Sequence, residues 1–240
     1  MVKIISICSG KGGVGKTSVA INLGAALNAI NKRTLIVDCN LTTSHIGLMF
    51  GFYSSGKTLN NFLRNENKLE EVVHTHSSGL AIIPAALELN ELVNLETHDL
   101  KKSFKESFTN YDFIILDSAP GIGREALVSL RSCDEAVYVA NPYIPSVVDI
   151  LKTKSLSSQL GFYNLGLVVN KSTGKEYELS NEEIFKFTEL PVIGTIPHDE
   201  AILKSLNSRV ISFLSYPKSA SSKAFYELAH KVAGLPFYQK

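Results

Sequence analysis

The chain has no tryptophan, two methionines and three cysteines among 240 residues, and its charges nearly cancel. Each shortage excludes something. Lys and Arg total 24 against 23 acidic residues, a formal net charge of +1, so no global field draws the protein to nucleic acid or anionic lipid. Cys8, Cys39 and Cys133 are scattered with no C-x-x-C pair, which argues against zinc or iron–sulfur ligation within one chain and fits a reducing compartment. His74 and His76 have no third ligand at a regular spacing and read as surface polar residues. No apolar run reaches the ~18 residues of a membrane-spanning helix. The N-terminus enters an apolar strand pattern at once, without the charged and apolar regions of a signal peptide. The expected location is cytoplasmic, with peripheral membrane contact at most. With 45% hydrophobic and 20% charged residues, the composition fits one domain over residues 1–240.

What the chain does contain is concentrated near its start. An apolar run, Ile4 to Cys8, leads into Ser9-Gly10-Lys11-Gly12-Gly13-Val14-Gly15-Lys16-Thr17-Ser18, and an apolar-periodic segment follows from Val19 to Leu27. Strand, glycine loop and helix is the context in which G-x-x-x-x-G-K-[ST] reads as a phosphate loop. Glycines allow backbone N–H groups to turn toward phosphate oxygens, and the helix start adds partial positive charge. Lys16 is expected to reach the β- and γ-phosphates and the Thr17 hydroxyl to sit on Mg²⁺. A nucleoside phosphate is the expected ligand.

Further apolar runs recur at residues 34–38, 79–84, 113–117, 135–140, 165–170 and 192–197. They are near-continuous, as in parallel strands buried on both faces. Helical patterns lie between them, roughly over 97–107, 124–132, 146–160, 181–189 and 199–207, with Ser180 and Glu183 spaced as a capping box. The alternation predicts an α/β fold, a doubly wound, mostly parallel sheet with helices on both faces. Ligands bind such sheets at the carboxyl ends of the strands, where Asp38, Asp117, Asn170 and the Pro197–Asp199 corner fall. Asp117, closing the run Phe113 to Leu116, is placed to hold Mg²⁺ through a water.

The second lysine of the loop, Lys11, gives KGGVGKT, which resembles the deviant Walker A motif of the MinD/ParA family of P-loop ATPases. The resemblance runs from Met1 to about Ala233. The tract from Asn40 to Gly47 and the run from Asp117 to Glu125 look most like archaeal MinD-like proteins. It implies the P-loop NTPase fold, ATP and Mg²⁺ as ligands, and a homodimer on ATP binding in which Lys11 acts on the partner's nucleotide. It also implies ATP hydrolysis and an unidentified protein activator or cargo, such as a cell-division component. Asp38 joins Thr17 and Asp117 as metal candidates. Ser118 to Gly121 resembles a switch II segment that senses the γ-phosphate, and Leu41 to Gly51 a switch I segment.

The chain departs from the family pattern in two places. The second Asp of D-x-D, linked to the attacking water, is Asn40 here. An amide holds a water by hydrogen bond but takes no proton, so slow hydrolysis is expected. The Glu of Asn-Pro-Glu is Tyr143, whereas Asp149 keeps the pattern. For the base, Asn170 with Pro197, His198 and Asp199 resembles the family's adenine pocket. The Asp that guanine readers carry two residues after Asn-Lys is Thr173, so ATP is favoured over GTP. The segment Ala220 to Ala233 puts Ala224, Phe225, Leu228, Ala229 and Val232 on one face. That stripe is expected to dock on the core rather than on lipid. A nucleotide-sensing scaffold with little turnover stands as the alternative to an ATPase. A biosynthetic enzyme of the same superfamily lacks a visible substrate pocket or cluster ligands, and DNA partitioning gains no help from the charge.

Overall fold

The computed structural model describes residues 1–41, 44–50, 57–86 and 99–236. Two of the segments read above fall partly outside these, residues 42–43 and 51 of the switch I tract and residues 97–98 of the helix expected from 97.

Strand β1 (Lys3–Cys8) runs through the middle of the molecule. Its side chains alternate between two cores. Ile4 and Cys8 join the cluster that holds Ile114, Leu116, Val147 and Ile150, while Ile5 and Ile7 join the cluster that holds Leu23, Leu27, Phe225 and Leu228. Both faces are therefore apolar, which is why the run reads as continuous. Parallel neighbours flank it, β5 (Phe113–Asp117) on one side and β6 (Glu135–Ala140) on the other. Beyond β5 lie β2 (Thr34–Asp38), β4 (Ala81–Ile83) and β3 (His74–Thr75). Beyond β6 lie β7 (Tyr163–Ser172) and β8 (Val192–Pro197). Among the described residues the sheet has eight strands in the order β3-β4-β2-β5-β1-β6-β7-β8, and only the β3–β4 pair of these is antiparallel. The chain leaves β1 where the strand order reverses, so the glycine loop sits at the crevice that such sheets use for ligands.

Helix α1 (Lys16–Ala29) covers one face with α11 (Ala220–Val232) beside it. The other face carries α5 (Arg124–Ser132), α6 (Ile144–Lys154) and α8 (Asn181–Thr188), with α4 (Leu100–Ser107) packed on α5. In α11, Phe225, Leu228, Ala229 and Val232 are buried against α1 and β8. Each large side chain so buried contributes roughly 1.5–3 kcal/mol. The expected docking of this helix on the core is therefore what the structure has. Ser180 and Glu183 form the capping box at α8: the Ser180 hydroxyl accepts from the Glu183 N–H at 3.2 Å, and the Glu183 carboxylate accepts from the Ser180 N–H at 2.8 Å.

Short elements escaped the periodicity. The segment read as one helix over 146–160 is two, α6 and α7 (Ser157–Leu160), and α6 begins earlier because Pro145 fits a first helical turn. Helices α2 (Ile46–Phe50), α3 (Leu59–Leu63) and α10 (Ser212–Ser215) span one turn each, too short to show a 3.6-residue repeat. Helix α9 (Glu200–Ser208) lies where the pattern put it.

Candidate nucleotide-binding site

The loop between β1 and α1 is shaped by close contacts with two other parts of the chain. A Cβ on Gly10 would lie 2.3 Å from the backbone C and O of Asp149 in α6, so this glycine permits backbone-to-backbone packing. Gly15 caps α1 in the left-handed region (φ 98°), and a Cβ there would lie 2.3 Å from Asn170 Nδ2. The Asn170 amide in turn donates to Val14 O at 2.8 Å, and Asn141 Nδ2 donates to Asn170 O at 3.0 Å. Lys16 is buried, its Nζ donating to Ser9 Oγ at 2.9 Å, and Ser9 Oγ donates to Lys11 O at 2.7 Å. Lys11 is exposed. Of the two loop lysines, only Lys16 faces the adjoining cavity.

The acidic strand ends meet beside Lys16. Asp38 and Asp117 are register partners on β2 and β5. The Thr17 side chain lies against Asp117, whose Oδ1 is buried with no partner among the described residues. Burial pushes the Asp117 carboxyl up to about 8, reinforced by Asp38 and opposed by Thr17 and Lys16. Burial also raises Asp38 to about 6, against hydrogen bonds from Ser44 Oγ (2.7 Å), the Asn40 N–H (3.0 Å) and the Ile46 N–H (3.3 Å). The same desolvation holds the Lys16 ammonium below its ordinary range. Two adjacent buried carboxyls share one buried ammonium, and one of their oxygens has no donor, so the site is short of positive charge. A hard divalent cation with a polyphosphate fits it. Asp38, by contrast, spends its oxygens on Asn40, Ser44 and Ile46.

From the loop a cavity of about 530 Å³ opens along α1, within the ~300–1,000 Å³ usual for small-molecule sites. Gly12, Gly13, Gly15, Thr17, Ser18 and Asn40 line its polar end, with Ser118 and Pro120 alongside. Gly121 N donates to Ser9 O at 3.1 Å, tying the 118–121 segment to the loop. Composition and motif gave no sign of the far wall, where Ile202, Leu206, Ile211 and Ser212 face Ile21, Asn22 and Met49. Asn22 Oδ1 accepts from Phe213 N at 2.8 Å and fixes α10 on α1.

The expected base-binding group is placed less simply. Pro197 pairs with Ser172 at the carboxyl end of the β7–β8 ladder, next to Asn170. The Asp199 carboxylate caps two helices, accepting from Ala201 N (2.8 Å, α9) and Ser221 N (2.9 Å, α11). His74 and His76 lie at the β3 edge, bonded to Lys57 O and Ser78 Oγ, far in the strand order from the loop. Tyr143 is exposed ahead of α6, and Asp149 forms the backbone contact with Gly10.

Known proteins share this fold. A family model described as ParA, NUBPL iron-transfer P-loop NTPase, matches residues 1–233. An uncharacterised ATP-binding protein of Methanocaldococcus jannaschii is 30% identical over 237 residues, covering 99% of this chain and 90% of the relative. The septum site-determining protein MinD of Pyrococcus horikoshii, complexed with Mg-ADP, superposes with a TM-score of 0.91 at 30% identity over 97% of this chain and 96% of its own. The cell division ATPase MinD of Pyrococcus furiosus gives 0.92 at 30% identity, over 98% and 100%. With its second lysine in the phosphate loop and its reversal of strand order at β1, the chain belongs to the MinD/ParA family of deviant Walker A P-loop ATPases.

Proposed function

We propose that this protein is an ATP-dependent switch. It binds Mg-ATP on the loop from Gly10 to Ser18, pairs with a second copy around the nucleotide, and positions a cell-division component or other cargo. The observation that carries this reading is the division of labour between the two loop lysines. Lys16 is buried at the cavity, while Lys11 is exposed on the loop and does not line it. An exposed cation beside a phosphate site serves a charge arriving from outside, as an arginine finger does. The likeness to a MinD complexed with Mg-ADP supports the ligand.

In this reading the loop N–H groups and Lys16 hold the β- and γ-phosphates. Thr17 and Asp117 would hold Mg²⁺, Asp117 through a water, with Asp38 as the third candidate. The cation, when bound, neutralises charge on the transferring phosphoryl group. Asn40, buried at the cavity wall, orients the attacking water without accepting its proton, so hydrolysis is slow. Adenine lies toward Asn170 and the Pro197–Asp199 corner. The same Asn40 favours a second reading, a nucleotide-sensing scaffold in which occupancy rather than turnover is the signal. Iron handling, named in the description of the family model, gains nothing from the cysteines. Cys8, Cys39 and Cys133 are all buried in the core, and burial raises each thiol.

Light scattering during size-exclusion tests the proposal. Wild type should shift from monomer to dimer with Mg-ATP, and Lys11→Ala should stay monomeric. A wild-type monomer in every condition overturns it.

A further inference from the structure

Lys171, read above only as the Lys of an Asn-Lys pair, bonds to the phosphate loop, and Glu178 bonds the three residues that follow it. At the end of β7 the backbone turns into the left-handed region at Lys171 (φ 61°), uncommon for a residue with a side chain. That turn sends the ammonium back across the loop, where Nζ donates to Gly13 O at 2.8 Å. The preceding residue does the same to the next carbonyl, through the Asn170 bond to Val14 O.

Two consecutive carbonyls of the phosphate loop are thus held outward, on the side away from the ligand. Peptide planes are rigid, so fixing the carbonyls of Gly13 and Val14 also fixes the N–H groups of Val14 and Gly15, which point the other way. Those N–H groups are part of the anion cradle.

Directly after Lys171, the carboxylate of Glu178 gathers the next three residues. It accepts from the Thr173 N–H at 2.8 and 3.0 Å, the Thr173 hydroxyl at 2.7 Å, the Gly174 N–H at 3.0 Å and the Ser172 hydroxyl at 2.8 Å. This closes residues 172–178 into a compact loop. His198 N donates to Ser172 O at 2.7 Å and anchors that loop to the end of β8.

We propose that Lys171, held in place by Glu178, is a positioning residue that keeps the phosphate loop in its anion-binding shape without touching the ligand. The inference rests on the nucleotide reading above. It makes a prediction that a base contact would not make: loss of the latch weakens every polyphosphate alike, with or without a nucleoside.

The test measures binding of Mg-ATP, Mg-GTP and inorganic tripolyphosphate by calorimetry to wild type, Lys171→Met, Lys171→Arg and Glu178→Ala. Apo thermal unfolding of each is recorded alongside. Lys171→Met keeps the aliphatic stem and loses the donor. Its Kd should rise about tenfold for ATP and for tripolyphosphate, the loss of about one hydrogen bond from a charged group. Its apo melting temperature should stay at the wild-type value. Lys171→Arg should recover most of the affinity, and Glu178→Ala should behave like Lys171→Met. Weaker ATP binding with unchanged tripolyphosphate binding overturns the proposal in favour of a base contact. Equal affinities in wild type and variants overturn it outright, as does an apo melting temperature that falls in step with affinity. A wild type that binds none of the three probes would instead sink the nucleotide reading itself.

Discussion

Of two glycines in one loop, only Gly10 should lose stability on substitution by alanine. In Gly10→Ala the new methyl would meet Asp149 C and O at 2.3 Å and its Cβ at 2.4 Å, more than 1 Å inside the ~3.5 Å at which carbon atoms touch. The obstacle is the backbone of α6, which cannot rotate away as a side-chain tip would. Either the loop or the helix must move by roughly 1 Å, and overpacking of that kind costs about 2 kcal/mol. For a domain of this size each kcal/mol lowers the melting temperature by about 2–4 °C, so a loss of about 6 °C is expected by calorimetry. The displaced loop also loses alignment with phosphate, so the Kd for Mg-ATP should rise about tenfold or more. Gly12→Ala is the control. A Cβ there meets only Pro120 Cβ at 3.9 Å, an ordinary contact, and its melting temperature should stay within about 2 °C of wild type. If Gly10→Ala proves as stable as Gly12→Ala, the loop does not rest on the α6 backbone and the reasoning fails.

Three further outcomes follow from the same structure. Phe225→Ala empties a fully buried position between α11, α1 and β8, at a cost of about 3–5 kcal/mol, so thermal unfolding should drop by about 10 °C or more; an unchanged melting temperature would mean that α11 is not docked. Asp117 carries a carboxyl raised to about 8 in the fold against about 3.9 in the unfolded chain. The folded state therefore binds the extra proton, and the stability of the metal- and nucleotide-free protein falls as pH rises between about 4 and 8. Asp117→Asn, neutral throughout, should gain on wild type from pH 6 to pH 8 while losing Mg-ATP binding; parallel pH profiles of melting temperature would contradict this. Asn40→Asp restores a proton acceptor at the cavity wall and should raise steady-state ATP turnover severalfold, whereas no gain would show that Asn40 does not limit the rate.

The phosphate loop and the ends of the strands were legible because their signals are contiguous. Glycine spacing, an apolar run on each strand and a carboxylate after it are local patterns, and both faces of β1 are buried by helices that the alternation of elements already implied. The apolar face of α11 was equally readable, since a 13-residue helix repeats its pattern more than three times. The cavity's far wall was not. It depends on a one-turn helix, α10, held by Asn22 from 191 positions away in sequence. Asp199 shows a subtler limit. An Asp ahead of a helix is a capping signal, but its second oxygen serves α11, which only the tertiary fold brings near. The bond from Lys171 to the loop left no mark either, because it relies on a left-handed residue that nothing in the sequence announces.

The most direct test of a lysine that works across a dimer is a mixture of two defective proteins. Lys11→Ala keeps its own loop for nucleotide but offers no cation to a partner; Lys16→Ala binds no nucleotide yet still offers Lys11. A fluorescent ATP analogue is loaded on Lys11→Ala with Mg²⁺, and its dissociation rate is followed as Lys16→Ala is added in excess. Dissociation should slow and the effect should saturate as the mixed dimer forms. A rate that stays constant at every concentration would contradict this.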